Sequence, residues 1–176
     1  MKIFVYDDIM QDRIINTLKL PIQREQVAEA EGKLYNIQRH IYMLKPNDVT
    51  FNRGNKRVLG ALYTIPDEEA NRVLYHLDNY KGCSLSRLGR RHPHDLTYRA
   101  TITVYPLSFK DIHEFQNYDY KYLKPVKCLV YLGNPKHEKI IRAIRVTRHQ
   151  KLSDGYHKKS LENLLKRMGY ISEKQN

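Results

Sequence analysis

No run of apolar residues in this chain approaches the roughly 18 needed to span a bilayer as a helix, so no membrane association is expected. Cysteine is scarce: only Cys83 and Cys128 are present. Two cysteines do not make a disulfide framework, and neither has a CxxC partner, so both are expected as reduced thiols. There is no P-loop and no GxGxxG. Ser84 and Ser86 lack a nucleophile-elbow pattern. His92 and His94, with Pro93 between them and Asp95 after, have no third ligand at a metal-binding spacing. Neither a metal nor a cofactor is expected. No internal repeat, low-complexity stretch or linker interrupts the chain. The opening residues read as a strand and not as a signal peptide with a small-residue cleavage site. A soluble cytoplasmic protein is the expectation.

Acidic residues are also scarce, but only in one half. Residues 1–80 carry eleven Lys/Arg and eleven Asp/Glu, whereas residues 81–176 carry twenty and eight. The whole net charge of +12 therefore lies in the second half. Such asymmetry suits either a polyanion-binding face or a solvated surface. Arg87, Arg90 and Arg91 lie in a basic insert near 84–95. Arg142, Arg145 and Arg148 recur every third residue, and Tyr118, Tyr120 and Tyr122 are interleaved with charge. Together they are candidate phosphate and base contacts if the partner is nucleic acid; an acidic protein is the other partner this charge suits.

What the sequence does contain is a series of short strands. The 176 residues suffice for one domain with a full core. Ile3 to Tyr6 form a β-branched and aromatic run. Asp7 and Asp8 break it, and a helical pattern follows through Ile9, Ile14, Ile15, Leu18 and Leu20. A strand that empties into a helix start leaves N–H groups directed at one spot, which suits an anion or carboxylate. Gly32–Ile37 and Arg39–Leu44 read as a strand pair, and Arg57–Ile65 as the clearest strand. Asp67 is the expected N-cap of a helix whose apolar face is Ala70, Val73, Leu74 and Leu77. Gly82 is available for the left-handed position after it. Strands follow at Leu96–Tyr105 and Lys127–Leu132. Residues 140–146 fit a helix or a strand. A last amphipathic helix lies near 160–169, with Ser160 near its start. Strands outnumber helices and are spaced too irregularly for a βα repeat. The expected fold is α+β: a closed or nearly closed mixed barrel with a few packed helices, in one domain over residues 1–176.

Several of these segments, in this order, resemble the γ-glutamylcyclotransferase-like (AIG2-like) proteins. Val5-Tyr6-Asp7-Asp8-Ile9-Met10 is similar to the family's Tyr-Gly-Ser-Leu-Met opening, with Asp7 and Asp8 in place of Gly and Ser. Val58 to Ile65 resembles its Val-x-Gly-x-Leu-Tyr strand. Leu77-Asp78-Asn79-Tyr80-Lys81-Gly82 resembles Leu-Asp-x-Tyr-Glu-Gly. Tyr98 to Val104, Val130-Tyr131, and Tyr156 with the last helix complete the series. The resemblance spans nearly the whole chain, and it implies the family's barrel.

It also implies a site. Tyr6, Asp7, Asp8, Ile9 and Met10 would line the ligand-binding loop, with Lys81 and Tyr98 beside it. Lys81 stands where the resemblance puts the glutamate that is the family's general acid/base. Closing 5-oxoproline requires a carboxylate to take a proton from the substrate amine and return it to the leaving nitrogen. A lysine of ordinary pKa, near 10.4, is an ammonium at neutral pH and cannot. The expectation is a cavity that has lost the standard chemistry and holds a small anionic molecule, such as a phosphate or nucleotide. The alternatives are the basic binding protein described above, and an active cyclotransferase using Asp7 or Asp8 as base.

Overall fold

The computed structural model describes residues 1–37, 40–45, 57–83, 94–108, 124–146 and 155–170. Strand β1 (Lys2–Val5) leads through a 3-10 turn (Asp8–Met10) into helix α1 (Asp12–Thr17). Strands β2 (Arg24–Glu31), β3 (Lys33–Ile37), β4 (His40–Leu44) and β5 (Arg57–Thr64) follow. A 3-10 turn (Asp67–Glu69), helix α2 (Ala70–Lys81), strands β6 (Thr97–Pro106) and β7 (Val126–Gly133), and helices α3 (Glu138–Val146) and α4 (Gly155–Arg167) complete the described elements.

Five strands close a barrel in the order β1-β5-β2-β6-β7. Closure comes from β1 and β7, which run parallel with Phe4 opposite Val130. The neighbouring pairs are antiparallel, so the barrel is mixed, as expected. Strands β3 and β4 form a separate two-stranded sheet.

Strand alternation divides the core in two. Even-numbered positions cluster together: Phe4, Tyr6, Ala28, Ala30, Val58, Leu62, Tyr98, Val104, Cys128, Val130 and Leu132. Odd-numbered positions Ile3, Val5, Val27, Ala61, Tyr63 and Tyr131 instead pack with Ile14, Val73, Leu77 and Leu164 of the helices. The even face is therefore the barrel interior, and the odd face is the surface the helices cover. With both faces buried, β1 reads as an unbroken apolar run. Gly60 is required by crowding: a Cβ there would lie 2.1 Å from the Val5 carbonyl oxygen and 2.8 Å from the Phe4 ring.

The structure settles or shifts several local expectations. Residues 140–146 belong to a helix. The last helix starts at Gly155, a turn and more before Ser160. Ser160 does not cap it; the residue is fully buried and its hydroxyl accepts a hydrogen bond from Gln11 Nε2 at 3.0 Å. Asp67 does not cap α2 either, because its carboxylate accepts from the Met1 ammonium at 2.5 Å. Gly82 does take the left-handed conformation, with φ of 62°. Most of the basic insert near 84–95 lies outside the described residues.

Candidate functional site at the barrel mouth

Tyr6 follows β1 directly and continues its inward-facing side. The register sets Tyr98 opposite Leu132, and Phe4 opposite Val130. Tyr6 thus reaches the level of Leu132 and Tyr98, at one end of the barrel. Both rings are buried, Tyr6 at 1% and Tyr98 at 6% exposure. The Tyr6 hydroxyl donates to the Tyr131 carbonyl at 2.6 Å. Burial raises its pKa above the ordinary phenol value, so it stays protonated.

Asp7 and Asp8 diverge at the turn. Asp7 is 2% exposed. Its Oδ1 accepts from the Ile9 N–H at 3.2 Å, an Asx cap that closes the 3-10 turn. Its Oδ2 meets the ammonium of Lys81. Asp8 turns outward, where its Oδ2 accepts from the Tyr80 hydroxyl at 2.5 Å.

Lys81 arrives here by helical periodicity. On α2, Val73 and Leu77 are fully buried against the barrel. Residue 81 is the next position on that same stripe. Only 9% of its side chain is exposed. Its nitrogen lies 5.7 Å from the centroid of the Tyr6 ring and 5.9 Å from that of Tyr80. Two effects oppose each other at this amine. Burial in place of water favours the neutral form, and contact with the Asp7 carboxylate favours the ammonium. Burial dominates and draws Lys81 down from 10.5 to about 7.

One turn earlier on α2, Asp78 is fully buried. Its Oδ1 accepts from the Tyr131 hydroxyl at 2.7 Å and lies 3.3 Å from Arg99 Nε. Its Oδ2 is buried without a hydrogen-bond donor among the described residues. Burial, and then the neighbouring Asp78 charge, push the Cys83 thiol up to about 11, so Cys83 is not a thiolate nucleophile at neutral pH.

The turn itself is fastened from outside by α4. Arg167 forks onto Glu25, with Nε to Oε2 at 2.9 Å and Nη2 to Oε1 at 2.5 Å. Its Nη1 donates to the Met10 carbonyl at 3.0 Å and to Asp12.

The structure thus brings Tyr6, Asp7 and Lys81 together, with Tyr98 on the same barrel level and Asp8 tied to Tyr80 beside them. The side chains of Ile9 and Met10 go elsewhere: both pack into the core beneath the helices. Lys81 does not stand alone at this turn, because the Asp7 carboxylate is in contact with it. Sequence reasoning did not find Arg167 or the Tyr131–Asp78–Arg99 chain. The available signal for Lys81 was its place four residues after Leu77; nothing local to Arg167 names a partner 142 positions away.

The alternative basic site is only partly in view. Arg142 is exposed and spends its guanidinium on Glu138, one turn earlier on α3, at 2.5 Å. Arg87, Arg90, Arg91 and Arg148, with Tyr118, Tyr120 and Tyr122, lie outside the described residues, as does the side chain of Arg145.

No family model matches the chain, and no curated protein matches it in sequence. Solved structures do resemble it. A γ-glutamyl cyclotransferase specific to glutathione from yeast matches with a TM-score of 0.51 at 10% identity, over 94% of this chain and 96% of that one. A protein of Arabidopsis thaliana solved in solution matches with a TM-score of 0.51 at 14% identity, over 99% of this chain and 94% of that one. The strand order, the closure of β1 on β7 and these likenesses agree: this chain has the γ-glutamylcyclotransferase-like fold.

Proposed function

We propose that this protein binds a small molecule at the mouth of its barrel and does not form 5-oxoproline. One observation carries the reading: the side chain buried beside the first turn is Lys81, in contact with Asp7. Cyclisation needs a carboxylate that can take a proton from the attacking amine and return it to the leaving nitrogen. Asp7 is the buried carboxylate at this turn, and its Oδ2 faces the Lys81 nitrogen. Asp8 faces outward onto Tyr80. Lys81 stands where the resemblance puts a carboxylate, and its amine is held against Asp7.

Charge balance narrows the ligand. While Lys81 is protonated its charge and that of Asp7 cancel, so the pair offers no net positive charge to an anion. A ligand with a single carboxylate adds one negative charge there. A phosphate or nucleotide brings excess charge into a site with no net positive charge from this pair.

The test is release of 5-oxoproline from glutathione and other γ-glutamyl substrates by the purified protein. No product is expected. Turnover that disappears on Asp7→Asn or Asp8→Asn would overturn the reading and establish the carboxylates as the base.

A further inference from the structure

We propose that Lys81 is a covalent ligand-binding group, whose amine condenses with the carbonyl carbon of a small aldehyde or 2-oxo acid to form an imine at the barrel mouth. The proposal rests on the reading above that this turn is a ligand site, and it goes beyond it by assigning the bond and the ligand class.

The geometry supplies what imine formation needs. An amine must be held away from bulk water, and Lys81 is 9% exposed between the Tyr6 and Tyr80 rings. Desolvation is one of the ways a lysine becomes a nucleophile toward carbonyl compounds. The same burial leaves a substantial fraction of free amine near neutral pH. A proton carrier must also touch the nitrogen, because the reaction expels water. Asp7 is in that contact.

The steps balance without an oxidant or reductant. The nitrogen lone pair attacks the carbonyl carbon, and the carbonyl π electrons move to oxygen. Asp7 takes a proton from nitrogen and delivers it to that oxygen, giving a carbinolamine. A second proton passes by the same route, the C–O bond breaks, water leaves, and a C=N bond joins Lys81 to the ligand. The Tyr6 hydroxyl is committed to the Tyr131 carbonyl, and that of Tyr80 to Asp8. Asp7 is therefore the carrier these contacts offer.

The experiment is reductive trapping of the intact protein at pH 7 with glyoxylate, and separately with propanal, using cyanoborohydride, followed by peptide mapping. One lysine adduct per chain is expected, on Lys81, with each other lysine labelled at least about tenfold less, since exposed alkylammonium groups are almost wholly protonated at pH 7; any adduct on the Met1 α-amino group is mapped and counted apart. Preference for glyoxylate identifies the 2-oxo acid; equal trapping identifies the simple aldehyde. Labelling spread evenly over the lysines, or Lys81 left unmodified in the native protein, overturns the proposal without any variant being needed. Lys81→Arg should abolish the selective adduct. Asp7→Asn should slow trapping about tenfold or more, and an unchanged rate would remove Asp7 from the mechanism. If Lys81 is unlabelled and 5-oxoproline is still not formed, this inference fails alone. If 5-oxoproline forms, the underlying reading fails as well.

Discussion

The amine of Lys81 and the carboxylate of Asp7 meet across 74 positions of sequence, one at the last turn of α2 and the other at the first residue of the turn after β1. Each is nearly inaccessible to water, so each depends on the other. Replacing one partner of such a pair leaves a buried charge uncompensated, typically at about 3–5 kcal/mol. Asp7→Ala should therefore destabilise the protein by about 3 kcal/mol, since the low pKa of Lys81 lets it shed its proton and soften the loss. The double variant Asp7→Leu/Lys81→Met should recover most of that stability. Chemical denaturation of the four proteins in a double-mutant cycle measures the coupling. Additive effects would show that the two residues do not interact.

Stability should depend on pH through the same lysine. Its native pKa is lowered to about 7 from 10.5. Between these values the unfolded chain binds more protons at this site than the native one, so stability rises with pH. Below about 7 both states carry the proton and the dependence vanishes. Comparing wild type with Lys81→Met from pH 6 to 10, the wild type should gain relative stability across the upper part of that range. A flat difference would mean that Lys81 keeps an ordinary pKa.

Arg167 fixes the turn from the C-terminal side through Glu25 and the Met10 carbonyl. Arg167→Ala removes a bidentate ion pair and leaves Glu25 without its guanidinium. A loss of about 2 kcal/mol is expected. Amide exchange should accelerate first at residues 8–12. Arg167→Lys should rescue little, because an ammonium cannot fork onto the carboxylate and also reach Met10. Faster exchange spread evenly over the barrel would contradict this local role.

Gly60 is where the barrel admits no side chain. A methyl at that position meets Val5 backbone and not merely a flexible side-chain end. Gly60→Ala should cost about 3 kcal/mol or more, at the upper end of overpacking effects. Thermal unfolding read against wild type checks it; a small change would mean that β1 and β5 can part without loss.

Much of the barrel was legible in the sequence because strand patterning is local. Ile3–Tyr6, Val58–Ile65 and Cys128–Leu132 are buried or half-buried on both faces, and their β-branched and aromatic residues say so without reference to the rest of the chain. Gly82 likewise announced the end of α2. Residues 140–146 were ambiguous because Ile140, Ile141, Ile144 and Val146 satisfy both periods; burial of Ile140 and the chain's continuation through Glu138–Val146 resolve it as helix. The site was half legible. The resemblance singled out Asp7 and Lys81, and the Val73–Leu77 stripe carries Lys81 inward. That they would face each other is a tertiary fact, set by how α2 packs on the turn after β1. Arg167 was invisible for the same reason, since its partners come from β2 and the first turn.

The matched pair also determines how the proposed absence of cyclotransferase chemistry should be tested. Lys81→Glu alone would set two carboxylates against each other in a buried turn, so its failure would say little. Asp7→Gly/Asp8→Ser/Lys81→Glu removes that conflict and rebuilds the turn the resemblance calls for. The decisive measurement is 5-oxoproline release from glutathione by the wild type beside this triple variant. The account predicts none from the wild type and measurable product from the variant; sustained turnover by the wild type would contradict it.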